Sequence, residues 1–467
     1  TVNTYSYYDV HEQDVVSLVS GGQRWYGELF DSQLQRTVTF SVPDIDNSSP
    51  ALIEASLASG GNDSNGTSQT YSVGGTQIYT GALPVGSDFG RSVNWMTLNS
   101  PSSNIPIYIS IVRNSPDVLT YLDRVLLNAR RSLKFTETQF NFRDTSSVGA
   151  GNVAEYTLAD LSQTDGFVWE VTDRHSPKLI SGAFSGTDYL FQLDADSLRE
   201  FVASDGLNFR TPQRVGEVSY QNLHGLAQVD YLIVTHKSFI SQANRLADLH
   251  RAKGLTVHVV TTEQVYNEYS SGALDATAIR MFAKMFYDRG ESAPETRPKS
   301  LLLFGDGTFD PKNRVANNNN FLITYQVSNS EDKINALVTD DYFGLLDDNE
   351  SISSNDLLDI GVGRLLISDL DMARVQVDKV QHYMQNGSSL YASTNINCNA
   401  DGSSSTFGDW RTKYVQITDD EEGGYFIIND VEPQFDTVTK YYPEINCEKI
   451  YLDAYQQVTT AGGQRYP

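Results

Sequence analysis

Two cysteines in 467 residues, Cys398 and Cys447, are too few for a disulfide scaffold or a cysteine-based zinc site. Cys398 sits in a polar, asparagine-rich stretch with no base near it in sequence, so nothing there activates a thiol. Histidine is equally sparse: His11, His175, His224, His236, His250, His258 and His382 are all seven, and no imidazole follows His382. His224, His236 and His258 have no mutual spacing that suggests metal ligation. No apolar run approaches the roughly 18 residues that cross a bilayer. The opening Thr1-Val-Asn-Thr4 lacks Met and the basic-then-apolar pattern of a secretory signal, so the chain reads as a mature segment. Basic residues are outnumbered, 34 Lys+Arg against 59 Asp+Glu, for a formal charge of -25. Such a surface repels phosphate backbones and anionic headgroups, which excludes nucleic-acid or membrane-surface binding through charge.

Several motifs are absent too. No Gly-x-Gly-x-x-Gly follows a strand and no Gly-x-x-x-x-Gly-Lys-Ser/Thr occurs, so no dinucleotide or phosphate site is indicated. No Gly-x-Ser-x-Gly elbow supports a serine hydrolase of that type.

What is present changes character along the chain. Up to about Lys134 the apolar residues alternate in short runs, as in Gln35–Val42, Gln77–Thr80 and Ile105–Val112, with a period of two that predicts half-buried strands. Residues 1–133 are therefore expected to form a β-sandwich-like domain. Residues 134–225 are read as a second β-rich segment, with its clearest strands at Leu133–Phe142 and Gly166–Thr172, ending in a connection between Gly216 and Asn222.

From Val229 the period changes. Tyr231–Thr235 is a continuous apolar run of the kind buried on both faces of a sheet. Phe239, Ala243, Leu246, Leu249 and Ala252 recur at helical spacing before Gly254. Leu255–Val260 predicts the next strand, Ala276–Arg289 a helix capped by Asp275, and Ser300–Phe304 a third strand. Alternation of this kind builds right-handed crossovers and a parallel sheet, whose carboxyl edge carries ligands and catalysts. Asp359–Arg364 continues the sheet and Leu370–Met384 is a helix. A first α/β subdomain is placed at 226–395 and the start of a second at 396–467, opened by the strand Lys413–Thr418.

Three acidic features fall at loop positions. Asp306, in Gly305-Asp-Gly307, either binds a cation or closes a tight turn on its own backbone. Asp340 and Asp341 either coordinate calcium through oxygen ligands or cap the next element. Asp419-Asp-Glu-Glu422 follows an apolar strand, where crowded carboxylates bind a cation, raise one another's pKa, face an imidazolium, or simply form a solvated turn.

In order, Val229–Thr235, Ala252–Val257, Leu301–Gly307, Thr339–Leu346 and Asp359–Arg364 resemble the gingipain-like cysteine peptidases, and within them the sortases of type IX secretion. Ser20-Gly-Gly-Gln-Arg-Trp-Tyr-Gly-Glu28 is similar to the amino-terminal region of those sortases. The resemblance implies a multidomain chain in which β-rich domains precede a caspase-like α/β domain with a parallel sheet, cut short in its second subdomain. It implies a cysteine nucleophile and a histidine base in a Gly-His-Gly turn, neither of which this sequence contains. Asp420 matches the family's histidine-orienting acid best, with Asp419 and Glu422 as alternates. The 467 residues are accordingly expected to be an inactive amino-terminal fragment, with the dyad downstream of Pro467. By the same resemblance the whole protein is expected at the bacterial cell surface, removing carboxy-terminal sorting domains from cargo and attaching the cargo to anionic lipopolysaccharide. A PorV-like outer-membrane barrel would hold it among other attachment-complex proteins. No cofactor is required, and calcium is the one candidate ion. The competing expectation is a non-enzymatic surface scaffold. A carbohydrate-binding front domain, resting on Trp25, Tyr26 and abundant tyrosine, is a third.

Overall fold

A computed structural model describes the chain apart from residues 64–65, 317, 354–355, 385–412, 419–423, 457, 461–462 and 466–467. The described residues form two compact units, Thr1–Gln376 and Val377–Pro467.

In the first unit, alternating side chains close a sandwich. One sheet runs Thr4–Glu12, Leu119–Ser132, Ala51–Gly60, Gly90–Leu98, and the other Gln35–Ser41, Asn104–Val112, Thr67–Val73, Thr76–Leu83. Every pairing in them is antiparallel. Val38 and Phe40 from one sheet and Ile53, Ala55 and Leu57 from the other meet in a single apolar core. A second core gathers Phe142, Tyr156, Phe191 and Phe201, and Val2 and Tyr5 of the first segment join it. The expected strand at Leu133–Phe142 is shorter, Gln139–Arg143. Leu133 and Phe135 instead give their N–H groups to Asn3 and Ala159, so their alternation marks a crossing between the two cores. Residues 209–222 have no regular structure, and Val215 and Tyr220 stand in solvent.

The α/β part follows. Val257–Thr261, Tyr231–Thr235, Ser300–Phe304 and Gly361–Leu365 lie side by side in that order, all parallel. The helix Ala276–Arg289 begins where the Asp275 carboxylate accepts from Thr277 N–H at 2.8 Å, and Gly290 follows its end. Its apolar stripe places Ile279, Phe282 and Phe286, all fully buried, against Leu232, Val234 and Leu301. Truncating either phenylalanine to alanine would cost about 3–5 kcal/mol. The helix Thr262–Tyr269 starts with a reciprocal cap between Thr261 and Gln264.

The second unit pairs Lys413–Thr418 in parallel with Asn446–Tyr451 and carries the helix Glu432–Tyr441. Lys449 and Tyr451 both donate to Glu432, fastening strand to helix.

Candidate functional site

The four parallel strands end on one edge at Thr235, Thr261, Phe304 and Leu365. The loops there are organised by Arg364, whose side chain is 7% exposed. Its Nη1 donates to the carbonyls of Gly305 and Leu322 at 2.9 and 2.8 Å, and Nη2 to that of Ile323 at 3.1 Å. Nε and Nη2 hold both carboxylate oxygens of Asp340. One guanidinium thus ties the 305–323 loop to the turn at 340, using the fork that lysine lacks. Gly307 is required by the same crowding, since a Cβ there would lie 2.3 Å from the Leu322 carbonyl oxygen. Farther along the loop, fully buried Asp310 accepts from the N–H of Val315 at 2.7 Å and that of Lys312 at 3.3 Å.

His236 stands at the end of the Tyr231–Thr235 strand, where its Nδ1 accepts from Ser238 N–H at 3.3 Å and its ring meets Phe321 edge-on at 5.2 Å. Burial, then the neighbouring Lys237 charge, holds its pKa below the ordinary imidazole value. His224 is paired with Glu268 at 2.7 Å, and His258 with the carbonyl of Ala227 at 2.9 Å.

A strap from the front of the chain lies on these loops. Gln23 N–H donates to the carbonyl of Val327 at 2.9 Å and Arg24 N–H to Ser330 Oγ at 2.9 Å. The Arg24 guanidinium pairs with Glu331 at 2.8 Å, and the Tyr26 hydroxyl donates to the same oxygen. Burial works against the Glu331 charge, yet the bonds from Tyr26, Ser330 N–H and Arg24 outweigh it and lower the pKa. Burial and the adjoining Glu331 push the Tyr26 hydroxyl far above the usual phenol value. Trp25 stacks on Phe309 at 5.9 Å and 10°, with the Arg314 guanidinium 4.6 Å from its ring centre. Gly22, at φ +78°, lies where a Cβ would come 2.1 Å from the Asn329 carbonyl oxygen. Trp25 is 3% exposed and Tyr26 is fully buried, which overturns the expectation that they offer faces to sugar rings.

The expected calcium ligands are not brought together. Asp340 is engaged by Arg364, Asp306 accepts from Gly307 N–H at 2.9 Å as a tight turn does, and Asp341 is exposed at the start of a 3-10 turn. Among the described residues the one group of three close carboxylates is Asp347, Glu350 and Asp359. Asp359 accepts from Tyr287 and from the N–H of Leu346 at 2.8 and 2.7 Å. Burial and the charges of Asp359 and Asp347 raise the pKa of Glu350. Asp419, Asp420 and Glu422 lie outside the described residues, as does Cys398. The described cysteine, Cys447, rests against the carbonyl of Ile445 at 3.6 Å.

Sequence reasoning missed Arg364, Asp310 and Glu331. Arg364 closes the Asp359–Arg364 run, but no local pattern announces that its partner is 24 residues earlier.

Residues 224–467 match the model of peptidase family C25, so the chain belongs to that family. Its architecture is the one the resemblance implied: β-rich amino-terminal domains before a caspase-like, gingipain-like domain with a parallel sheet. Among solved structures the chain is similar to dimeric latent PorU from Porphyromonas gingivalis, with 27% identity and a TM-score of 0.71, over 82% of this chain and 38% of that one. It also matches the complex of Porphyromonas gingivalis RgpB pro- and mature domains at 16% identity and a TM-score of 0.29, over 47% and 41%. The chain thus spans under half the length of either. No curated protein matches. No helix among the described residues is long and apolar enough to cross a membrane.

Proposed function

We propose that this chain carries the β-rich region and the first α/β elements of a cell-surface cysteine peptidase that acts as a sortase of type IX secretion. The observation that carries this reading is the family match, joined to the likeness to PorU over most of the chain. In such an enzyme a thiolate attacks the carbonyl carbon joining cargo to its carboxy-terminal sorting domain. The sorting domain leaves with a proton delivered by the imidazolium, and the cargo remains as a thioester. An amine or hydroxyl of an anionic lipopolysaccharide acceptor then displaces the thiolate, giving its proton back to the imidazole. A barrel partner of the outer membrane would hold the enzyme beside its cargo.

The residues of this chain would serve as frame. Arg364 and the strap at 20–26 fix the loops at the sheet's carboxyl edge, and Asp420, with Asp419 or Glu422 as alternates, would orient the imidazole. Gly-His-Gly and a cysteine after a later strand are absent here, so these 467 residues alone should not cleave peptide bonds. Calcium binding is not needed for this chemistry.

The test uses the complete gene product with a cargo that ends in a sorting domain, followed by mass spectrometry. Loss of the sorting domain, with Asp420→Asn slowing turnover about tenfold or more while folding is kept, supports the reading. An uncleaved cargo, in a product lacking both Gly-His-Gly and a later cysteine, would replace it with the surface-scaffold reading.

A further inference from the structure

Gly90–Leu98 ends its sheet: it pairs with Ala51–Gly60 on one side and with no strand on the other. Among the described residues none of its backbone groups has a hydrogen bond outside that pairing. Every second residue therefore turns its N–H and C=O to an unpaired edge. Proteins usually blunt such edges with charge, proline or a bulge. This strand has neither proline nor bulge, and Arg91, next to its start, is its one charge. Between Ser64 and Val112 only Asp88 and Arg91 are charged, in a chain that is 20% charged. Thr76–Leu83, which ends the other sheet, is uncharged as well, but its pairing with Thr67–Val73 shifts register and so bends that edge.

The face beside the open edge is apolar. Arg91, Val93, Trp95 and Thr97 alternate onto the outside of the sheet, where Trp95 leaves 59% of its surface in solvent and Val93 40%. Leu52, opposite Thr97 and 45% exposed, joins the same patch. The ion pairs around it turn their basic partner outward. The Arg124 side chain is 33% exposed over Glu54 at 7%, and that of Arg91 28% over Asp123 at 1%. Arg91 gives Nε to Ser56 at 3.1 Å and Nη2 to Asp123 at 3.3 Å, which leaves Nη1 without a partner among the described residues.

We propose that this edge binds an extended segment of another protein, apolar at two alternating positions and acidic at a third. Strand addition satisfies the open backbone row, apolar side chains cover Val93 and Trp95, and a carboxylate reaches Arg91. Antiparallel addition continues the pattern of the sheet. A second copy is disfavoured, since pairing of Gly90–Leu98 with itself joins two bodies of charge -25 and sets no acid beside Arg91. A lipid surface is disfavoured too, since its hydrocarbon offers the edge no hydrogen-bond partners. The strand belongs to the front sandwich and not to the parallel sheet, so the inference stands apart from the peptidase reading.

The test follows the anisotropy of a fluorescein-labelled, carboxy-amidated probe, Thr-Ser-Val-Thr-Ile-Ser-Asp, added to the 467-residue chain. In antiparallel register its Val and Ile meet Trp95 and Val93, and its Asp meets Arg91. The probe should bind saturably. Two further probes carry N-methyl groups on one or the other set of alternate residues; the set that faces the edge should weaken binding about tenfold or more, and the other set should not. A probe ending in Lys in place of Asp should bind about threefold or more weakly, because a pair is lost and a repulsion added. Val93→Lys, which puts a charge on the edge, should weaken binding about tenfold or more, and Trp95→Ala about threefold or more. Both residues are exposed, so the melting temperature should stay at the parent value. No binding of the first probe, both N-methylated probes or the Lys probe binding like the first, or either variant binding like the parent would overturn the proposal. Sedimentation of the chain alone and flotation with phosphatidylcholine vesicles check the other occupants. Self-association or vesicle binding that Val93→Lys abolishes would overturn it in favour of a second copy or a lipid surface.

Discussion

Arg364 and Asp340 face each other through two parallel N–H···O contacts of 2.7 Å each, and the remaining guanidinium hydrogens go to loop carbonyls. This is a largely buried pair whose every arm is used. A buried charge left alone costs several kcal/mol, so the arrangement predicts asymmetric mutational effects.

Arg364→Ala should destabilise the first unit by about 3–5 kcal/mol, because Asp340 loses its counter-charge while three carbonyls lose donors. Arg364→Lys restores the charge but not the fork and should recover only part of the loss. Urea unfolding followed by near-ultraviolet circular dichroism would measure both, and a lysine variant as stable as the parent would show that the fork is unimportant.

Gly22 offers a sharper comparison. Gly22→Ala combines an unfavourable positive φ with a 2.1 Å approach to the Asn329 carbonyl, whereas Gly74, at φ +57°, has open space around its Cβ direction. Gly74→Ala should cost about 1 kcal/mol and Gly22→Ala at least twice that. Hydrogen exchange should place the extra loss in residues 326–336, and equal costs at the two sites would mean that the strap yields freely.

Two carboxyl groups give opposite pH trends. Asp230 accepts from Lys299 Nζ at 2.8 Å and from Thr256 N–H at 2.9 Å, and these contacts, Lys299 first, hold its pKa far below the aspartate range. Its contribution is complete above the ordinary aspartate pKa and is lost as pH falls through the depressed folded value. Glu350 has a raised folded pKa, so stability falls as pH rises from the ordinary glutamate value through that folded value. At pH 7 Asp230→Asn should destabilise by about 1 kcal/mol and Glu350→Gln should leave stability unchanged or raise it by a similar amount. Thermal melts at pH 2, pH 4 and pH 7 read both, the Asp230 contribution between the first two and that of Glu350 between the last two, and a less stable Glu350→Gln variant at pH 7 would contradict the second.

How far the sequence reached depended on the range of the forces. The Ala276–Arg289 helix and its Asp275 cap were legible because 3.6-residue spacing and an N-cap are local. Tyr231–Thr235 and Ser300–Phe304 were legible because strands buried on both faces must be apolar throughout. Leu133–Phe142 misled because alternation also arises where a chain crosses between two cores. Trp25 and Tyr26 carried no local sign of their burial, because what covers them, Phe309 and Glu331, lies some three hundred positions away.

That separation has a cost during synthesis. Tyr26 and Glu331 are 305 positions apart, so at about 5–20 residues per second a ribosome makes the first roughly 15–60 s before the second. Through that interval the indole of Trp25 and the polar groups of the strap stand outside the ribosome without their cover. A nascent chain of this kind invites a holdase at its front end, and fusion of a rapidly folding partner ahead of Thr1 should do least harm if a flexible spacer leaves the strap free to close late.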